Sequence, residues 1–395
     1  MSPFIMDWLN LLIRWAHLIV GIGWIGTSFY FVALDFSLKR REQMKKGVFG
    51  TAWEVHGGGF YHVEKYLVAP DELPDDLIWY KWEAYLTFVT GIMLMIVQFY
   101  WNADVWMIDP NVLDIAPTVA IVYSILSLTI GWFVYDWLCK SGIGKNTPLL
   151  MGMVFLLILG ASYFYTHVFS ARAALIHVGA FIGTIMASNV FGIIVPNQKK
   201  IVASLLKGEK PDPKYGVIGK QRSIHNTYLT LPVLVMMVSG HYPIITSHPN
   251  AWLLVGLIII GGASLRHLII KHEVGDPLKG YAWTFPAIII ALGVAMYMTM
   301  PAPPRIVNGQ TVLSDVKIVD MVKTHCAACH SDTPSNESFE EAPKGIKLDN
   351  LDQIKKYNEL IVKFAIQSDY MPLGNETNMS AEERQQLDNW LASQK

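Results

Sequence analysis

Long apolar runs separated by short polar segments fill the chain up to residue 300, and beyond it the pattern turns polar. A membrane-crossing helix needs about 20 mostly apolar residues. Eight segments fit: 8–34, 84–101, 117–138, 149–165, 171–195, 224–245, 251–270 and 281–300, of which 149–165 is short and contains glycine. Aromatic residues gather at their ends (Trp101, Trp106, Trp132, Trp137, Trp252, Trp283), as in an interfacial belt. The first run has neither a basic leader nor a small-residue cleavage site and outlasts a signal-peptide core, so it reads as a retained helix. After 300, Pro301, Pro303 and Pro304 make a stiff extended connection. Helical stretches follow at 312–324 and 381–391, and Ser380 with Glu383 three residues later is a capping-box pattern. The expected fold is all-α: an eight-helix transmembrane bundle over 1–300, a Pro-rich linker over 301–310 and a small soluble domain over 311–395.

Basic residues orient the bundle. They crowd the loop after the first run (Lys39, Arg40, Arg41, Lys45, Lys46, Lys65, Lys81), the loop after the third (Lys140, Lys145) and the long one after the fifth (Lys199, Lys200, Lys207, Lys210, Lys214, Lys220, Arg222). Arg266, Lys271 and Lys279 continue the series, while 102–116 carries only acids and 242–250 no charge. The positive-inside rule then places both termini outside the cytoplasm, which eight spans require. Hydrophobic residues make up 52% of the chain and charged residues 16%, and a net charge of −1 gives no reason to expect a nucleic-acid partner.

Cys326-Ala327-Ala328-Cys329-His330 is a CxxCH motif, in which two thiols bond the vinyl groups of one haem and the histidine meets its iron. A thioredoxin-type dithiol would sit near a βαβ pattern, and none is visible. The sixth ligand is assigned to Met371, followed by Pro372 ahead of the last helix, with Met379 competing. A thioether opposite histidine raises the haem potential. His325 reads as a surface histidine. Haems of this type are attached on the outer side of bacterial inner membranes, so the motif asks for a periplasmic tail, as the loop charges do.

Ionisable residues inside spans default to functional hypotheses. Towards the outer side lie His17, His177 and His241, with Arg14 one turn before His17; this set can hold a non-covalent b-type haem or can bond between helices. At the inner surface, Trp53 to Lys65 contains His56, Gly57, Gly58, Gly59, His62 and Glu64. Glycines let backbone approach a ligand closely, and the imidazoles and carboxylates suit proton transfer. A solvated turn is the plain alternative. Ser223 to Tyr228, with His225 and Asn226, opens the sixth span from the same side.

The stretches WAHLIVGIGWIGTSFYF from Trp15, WEVHGGGFYHVEKY from Trp53, HNTYLTLPVL from His225 and SGHYP from Ser239, with the CAACH tail, resemble the bacterial membrane-bound, cytochrome-c-fused urate oxidase (urate hydroxylase) family. The resemblance spans nearly the whole chain. It implies oxidation of urate to 5-hydroxyisourate in purine breakdown, with electrons passed through a class I cytochrome c domain to a respiratory-chain cytochrome c or terminal oxidase. It assigns no catalytic residues; His56, His62, Glu64, His225 and Asn226 are expected from their own chemistry. Two other readings stand beside it: an electron conduit from quinol or another donor to cytochrome c, and a haem or copper transport protein.

Overall fold

A computed structural model describes residues 3–42, 44–66, 76–300, 312–336, 339, 341–368 and 370–394. The linker expected over 301–310 lies outside the described residues.

Helix α1 (Pro3–Ser37) is followed by the hairpin strands β1 (Val48–His56) and β2 (Gly59–Tyr66). Helix α2 (Trp82–Met95) runs on through a π turn to Tyr100 and meets the short α3 (Ala103–Trp106). Then come α4 (Pro117–Lys140), α5 (Thr147–Thr166) and α6 (Ala171–Ser188), the last joined by a π turn, Asn189–Ile194, to α7 (Val195–Leu206). Helices α8 (Pro213–Val238), α9 (Pro243–Thr246), α10 (Ala251–Val274) and α11 (Thr284–Met298) complete this part.

A helix occupies each of the eight apolar runs. Six helical segments among the described residues are long and apolar enough to cross a membrane. The two that differ are α11, only 15 residues long, and α8, whose first half carries Lys214, Lys220 and Arg222. Helix α6 is the centre of the bundle: Ala173, Ala174, Leu175, Val178, Ile182 and Ile185 are wholly enclosed. Helices α1 and α11 are peripheral and leave Leu11, Ile22, Ile289 and Leu292 exposed. Apolar outer faces gain little by leaving hydrocarbon for a neighbouring helix, so close approach at small residues and interhelical hydrogen bonds must hold such a bundle. Gly131 shows the first: a Cβ there would run into the Phe181 ring.

The hairpin is the exception to an otherwise helical chain, and it lies where the sequence reads as an irregular loop. Gly57 and Gly58 take φ of +59° and +79°, the pair of positive values that a two-residue hairpin turn needs. The β-branched and aromatic residues on either side then pair antiparallel, Val55 with Phe60 and Trp53 with His62.

Beyond 311, α12 (Asp315–His325), α13 (Leu351–Lys356), α14 (Asn358–Ile361) and α15 (Ala381–Ser393) enclose a separate core of Ile318, Val322, Leu348, Ile354, Leu387 and Trp390. Trp390 Nε1 donates to Asp315 Oδ1 at 2.9 Å and ties the last helix to the first. The Ser380–Glu383 capping box is formed, as the sequence expects. This unit rests on the end of the bundle opposite the hairpin. Tyr370 donates to the Gly240 carbonyl at 3.0 Å, the Trp106 and Phe339 rings meet edge-on, and a Cβ at Gly374 would lie 2.7 Å from the Val105 carbonyl oxygen.

Candidate functional site

At the hairpin end of the bundle, three helices converge on buried polar side chains. Helix α8 supplies Arg222, His225 and Asn226, α4 supplies Tyr135 and Asp136, and the π turn after α6 supplies Asn189. A π turn inserts a residue into the helical register and commonly marks a functional position. Here it turns Asn189 inward, where Nδ2 donates to Tyr135 Oη at 3.0 Å and to Asn226 Oδ1 at 2.9 Å. Asn226 Nδ2 donates in turn to the Met186 carbonyl at 2.9 Å. Tyr135 Oη, which accepts from Asn189, also shares a hydrogen bond with His225 Nδ1, 2.7 Å away. The tautomer of His225 sets which of the two donates. Arg222 donates to Asp136 Oδ1 at 2.7 Å with its guanidinium 4.9 Å from the centre of the Tyr135 ring. Cys139, buried, lies 4.0 Å from His225 Nδ1. Unpartnered polar atoms remain: Asn189 Oδ1 and Arg222 Nε and Nη1. Buried donors and acceptors without partners are costly, and here they surround a histidine and a tyrosine able to exchange a proton.

The hairpin groups take no part in this network. Glu54 accepts from Tyr30 Oη at 2.7 Å and Lys65 pairs with Asp35 at 2.6 Å, so both link the hairpin to α1. His56 is exposed at the turn, and His62 stacks on Trp53 with ring centres 4.4 Å apart. Glu64 accepts from Tyr66 Oη at 2.8 Å and from Lys45 at 3.1 Å; the Tyr66 hydroxyl first, then Lys45, holds its carboxyl below the usual carboxylate range. Of the five expected catalytic residues, the structure joins His225 and Asn226 and leaves His56, His62 and Glu64 on the hairpin.

The outer group is dispersed. His177 is fully buried, with Nδ1 donating to the Ala173 carbonyl at 2.8 Å and Nε2 paired with Ser124 Oγ at 2.9 Å. Phe99, Tyr165 and Phe169 pack round its ring. His17 bonds Thr90 across α1 and α2 at 2.9 Å, Arg14 donates to Asn10, and His241 is exposed. These residues do not fit a b-type haem: both nitrogens of His177 are engaged and its ring is enclosed. Helix-to-helix hydrogen bonding, the other reading, describes His177 and His17, while Arg14 bonds within its own helix.

In the C-terminal unit Cys326 and Cys329 are free thiols that burial pushes up to about 12 and about 11. His330 Nδ1 donates to the Ile346 carbonyl at 2.9 Å, and Nε2 has no hydrogen-bond partner among the described residues. A metal-binding histidine commonly fixes its ring in this way. The cysteines and His330 thus fit a covalently held haem. Met379 is buried in the unit's core with its backbone bonded to Asn375, and Met371 packs against that core with its carbonyl held by Arg384 Nη1 at 2.7 Å. His325, expected at the surface, is buried instead and bonds Thr377 at 2.9 Å and Glu383 at 3.2 Å. Both its nitrogens are satisfied, which suits a structural role.

Sequence reasoning missed Tyr135, Asp136, Asn189 and the burial of Arg222. For Asp136 the signal was present, since an ionisable group inside an apolar run defaults to function. Arg222 was instead counted among the loop charges that set orientation. A family model described as "urate oxidase N-terminal" matches residues 3–299. No curated protein and no solved structure matches the chain.

Proposed function

The chain belongs to the urate oxidase N-terminal family, and from that premise we propose that it is a membrane enzyme oxidising urate to 5-hydroxyisourate and passing the electrons to a haem c in its own C-terminal unit. The observation that carries this reading is the family match over 3–299, joined in one chain to a CxxCH motif. The reaction balances as urate plus water giving 5-hydroxyisourate, two electrons and two protons. The polar network round His225 is the proposed site. In the tautomer whose Nδ1 accepts from Tyr135, His225 presents Nε2–H to the substrate, and a proton leaving at Tyr135 Oη passes to Nδ1. Arg222 and Asn189 offer unpartnered donors and an acceptor for the alternating N–H and C=O groups of a purine ring. Cys326 and Cys329 would hold a haem, with His330 and Met371 as its ligands; the group would supply a one-electron acceptor, so each urate needs two transfers.

The helices on all eight apolar runs, the 15-residue α11 among them, cross a bacterial inner membrane in this reading. The basic hairpin end faces the cytoplasm, where urate arises, and the tail is periplasmic beside a respiratory-chain cytochrome c or terminal oxidase. The deciding experiment adds urate without oxygen to the purified holoprotein. Two haems reduced per urate consumed is the expected result. Protein whose haem is reduced by ascorbate but not by urate would end this reading and favour a conduit for another donor.

A further inference from the structure

Helix α10, which packs against α8, buries a second arginine in the same half of the bundle. Arg266 of α10 is only 1% exposed, and its guanidinium lies 3.6 Å from the centre of the Phe29 ring of α1. Its Nε and Nη2 have no hydrogen-bond partner. Among the described residues no carboxylate lies within the 4.0 Å of an ion pair, whereas Arg222 is paired with Asp136. Nε and Nη2 form the side-on edge of the guanidinium, two parallel donors spaced for two neighbouring acceptor atoms on one planar anion. A buried charge with two free donors is among the costliest features a fold can hold, unless a ligand completes it.

The surroundings suit a flat, hydrogen-bonding anion. Tyr228 Oη bonds His267 Nδ1 at 2.6 Å, and the His267 ring lies 5.4 Å from that of Trp283. Tyr228 and His267 are half-buried and Trp283 is exposed, so the group formed with His267, the residue after Arg266 on α10, reaches the surface. Tyr228 is three residues after His225, which places the two on neighbouring positions of one turn of α8.

Resting on the reading of the chain as a urate oxidase, we propose that Arg266 is the substrate's anion receptor, its Nε–Nη2 edge gripping the urate anion through two parallel hydrogen bonds. A lysine has the charge but not the fork. Binding of radiolabelled urate to the full-length holoprotein, and haem reduction by urate and by ascorbate, are to be compared for wild type, Arg266→Lys and Arg266→Gln. The expected result is a urate Kd and KM raised about ten- to hundredfold in both variants, with kcat changed far less and ascorbate reduction normal. A Kd within about twofold of wild type in either variant that keeps normal ascorbate reduction would overturn the assignment, since the loss of a charge-assisted pair is a larger effect. Phospholipid retained by wild type and lost in Arg266→Gln, with urate affinity unchanged, would give the fork to a lipid headgroup and also overturn it. Wild-type protein that neither binds urate nor is reduced by it would remove the functional reading itself, a distinguishable failure.

Discussion

His225 Nδ1 and Tyr135 Oη share one hydrogen bond, and Asn189 Nδ2 donates to the same Tyr135 oxygen. Tyr135→Phe removes that link yet keeps the ring under the Arg222 guanidinium. Turnover with urate should fall by about 10²- to 10⁴-fold in His225→Ala, the range for loss of a positioned acid–base group, and by less in Tyr135→Phe. Ascorbate reduction of the haem, measured alongside, should stay normal in both. Equal losses in the two reductions would mean a folding defect and would take His225 out of the chemistry. His225 and Asn226 were legible as candidates because they sit together in a polar patch opening an apolar run. Asn189 and Tyr135 were not, because an amide and a phenol in an apolar helix look like ordinary packing until a π turn and a neighbouring helix bring them to His225.

Among the elements, the long helices were the easiest to read, since an apolar run of this length admits few other structures. The hairpin was not. Its three glycines and mixed polar composition fit a loop as well as a turn, and strand pairing becomes visible only when Val55 meets Phe60 across Gly57 and Gly58. Those two glycines make a test of the element. Gly58→Ala places an L side chain at φ +79°, which costs about 1 kcal/mol or more. Faster amide exchange across 48–66 is expected, with urate turnover close to wild type; a large loss of turnover would bring His56 and His62 back into the active site. Glu64 adds a pH dependence. Its carboxyl is held low in the folded hairpin, so its contribution is complete above the ordinary carboxylate range and is lost as pH falls through that range to the depressed value. Hairpin exchange should therefore quicken on acidification in the wild type and less so in Glu64→Gln, a difference that hydrogen-exchange mass spectrometry resolves.

Across the whole molecule, the C-terminal unit meets the bundle through the loop that carries Met371. Tyr370 bonds Gly240, and Gly374, at φ +59°, lies against the Val105 and Ile108 carbonyls, where no side chain fits. That contact could not be read from sequence, because it joins residues more than a hundred positions apart through backbone atoms. It also buries like charges together. Burial first, and the nearby Asp104 of α3 as well, raise the Glu376 carboxyl above its usual range, while a hydrogen bond from Asn336 opposes them. A carboxyl raised by docking disfavours the docked state once it is ionised. That penalty is absent below the free carboxylate value, grows as pH rises through the raised value and is complete above it. Docking should accordingly tighten as pH falls, and Glu376→Gln, which never ionises, should be tight throughout and lose the dependence. Amide exchange at 103–108 reports the contact directly: protection in the wild type should increase from neutral pH towards pH ~5, after correction for intrinsic exchange, and stay flat in the variant. The same variant carries urate-derived electrons no further than before, so its haem reduction at neutral pH should be at least as fast as in the wild type. Slower reduction with unchanged protection would show that Glu376 serves the haem itself rather than the joint between the two parts.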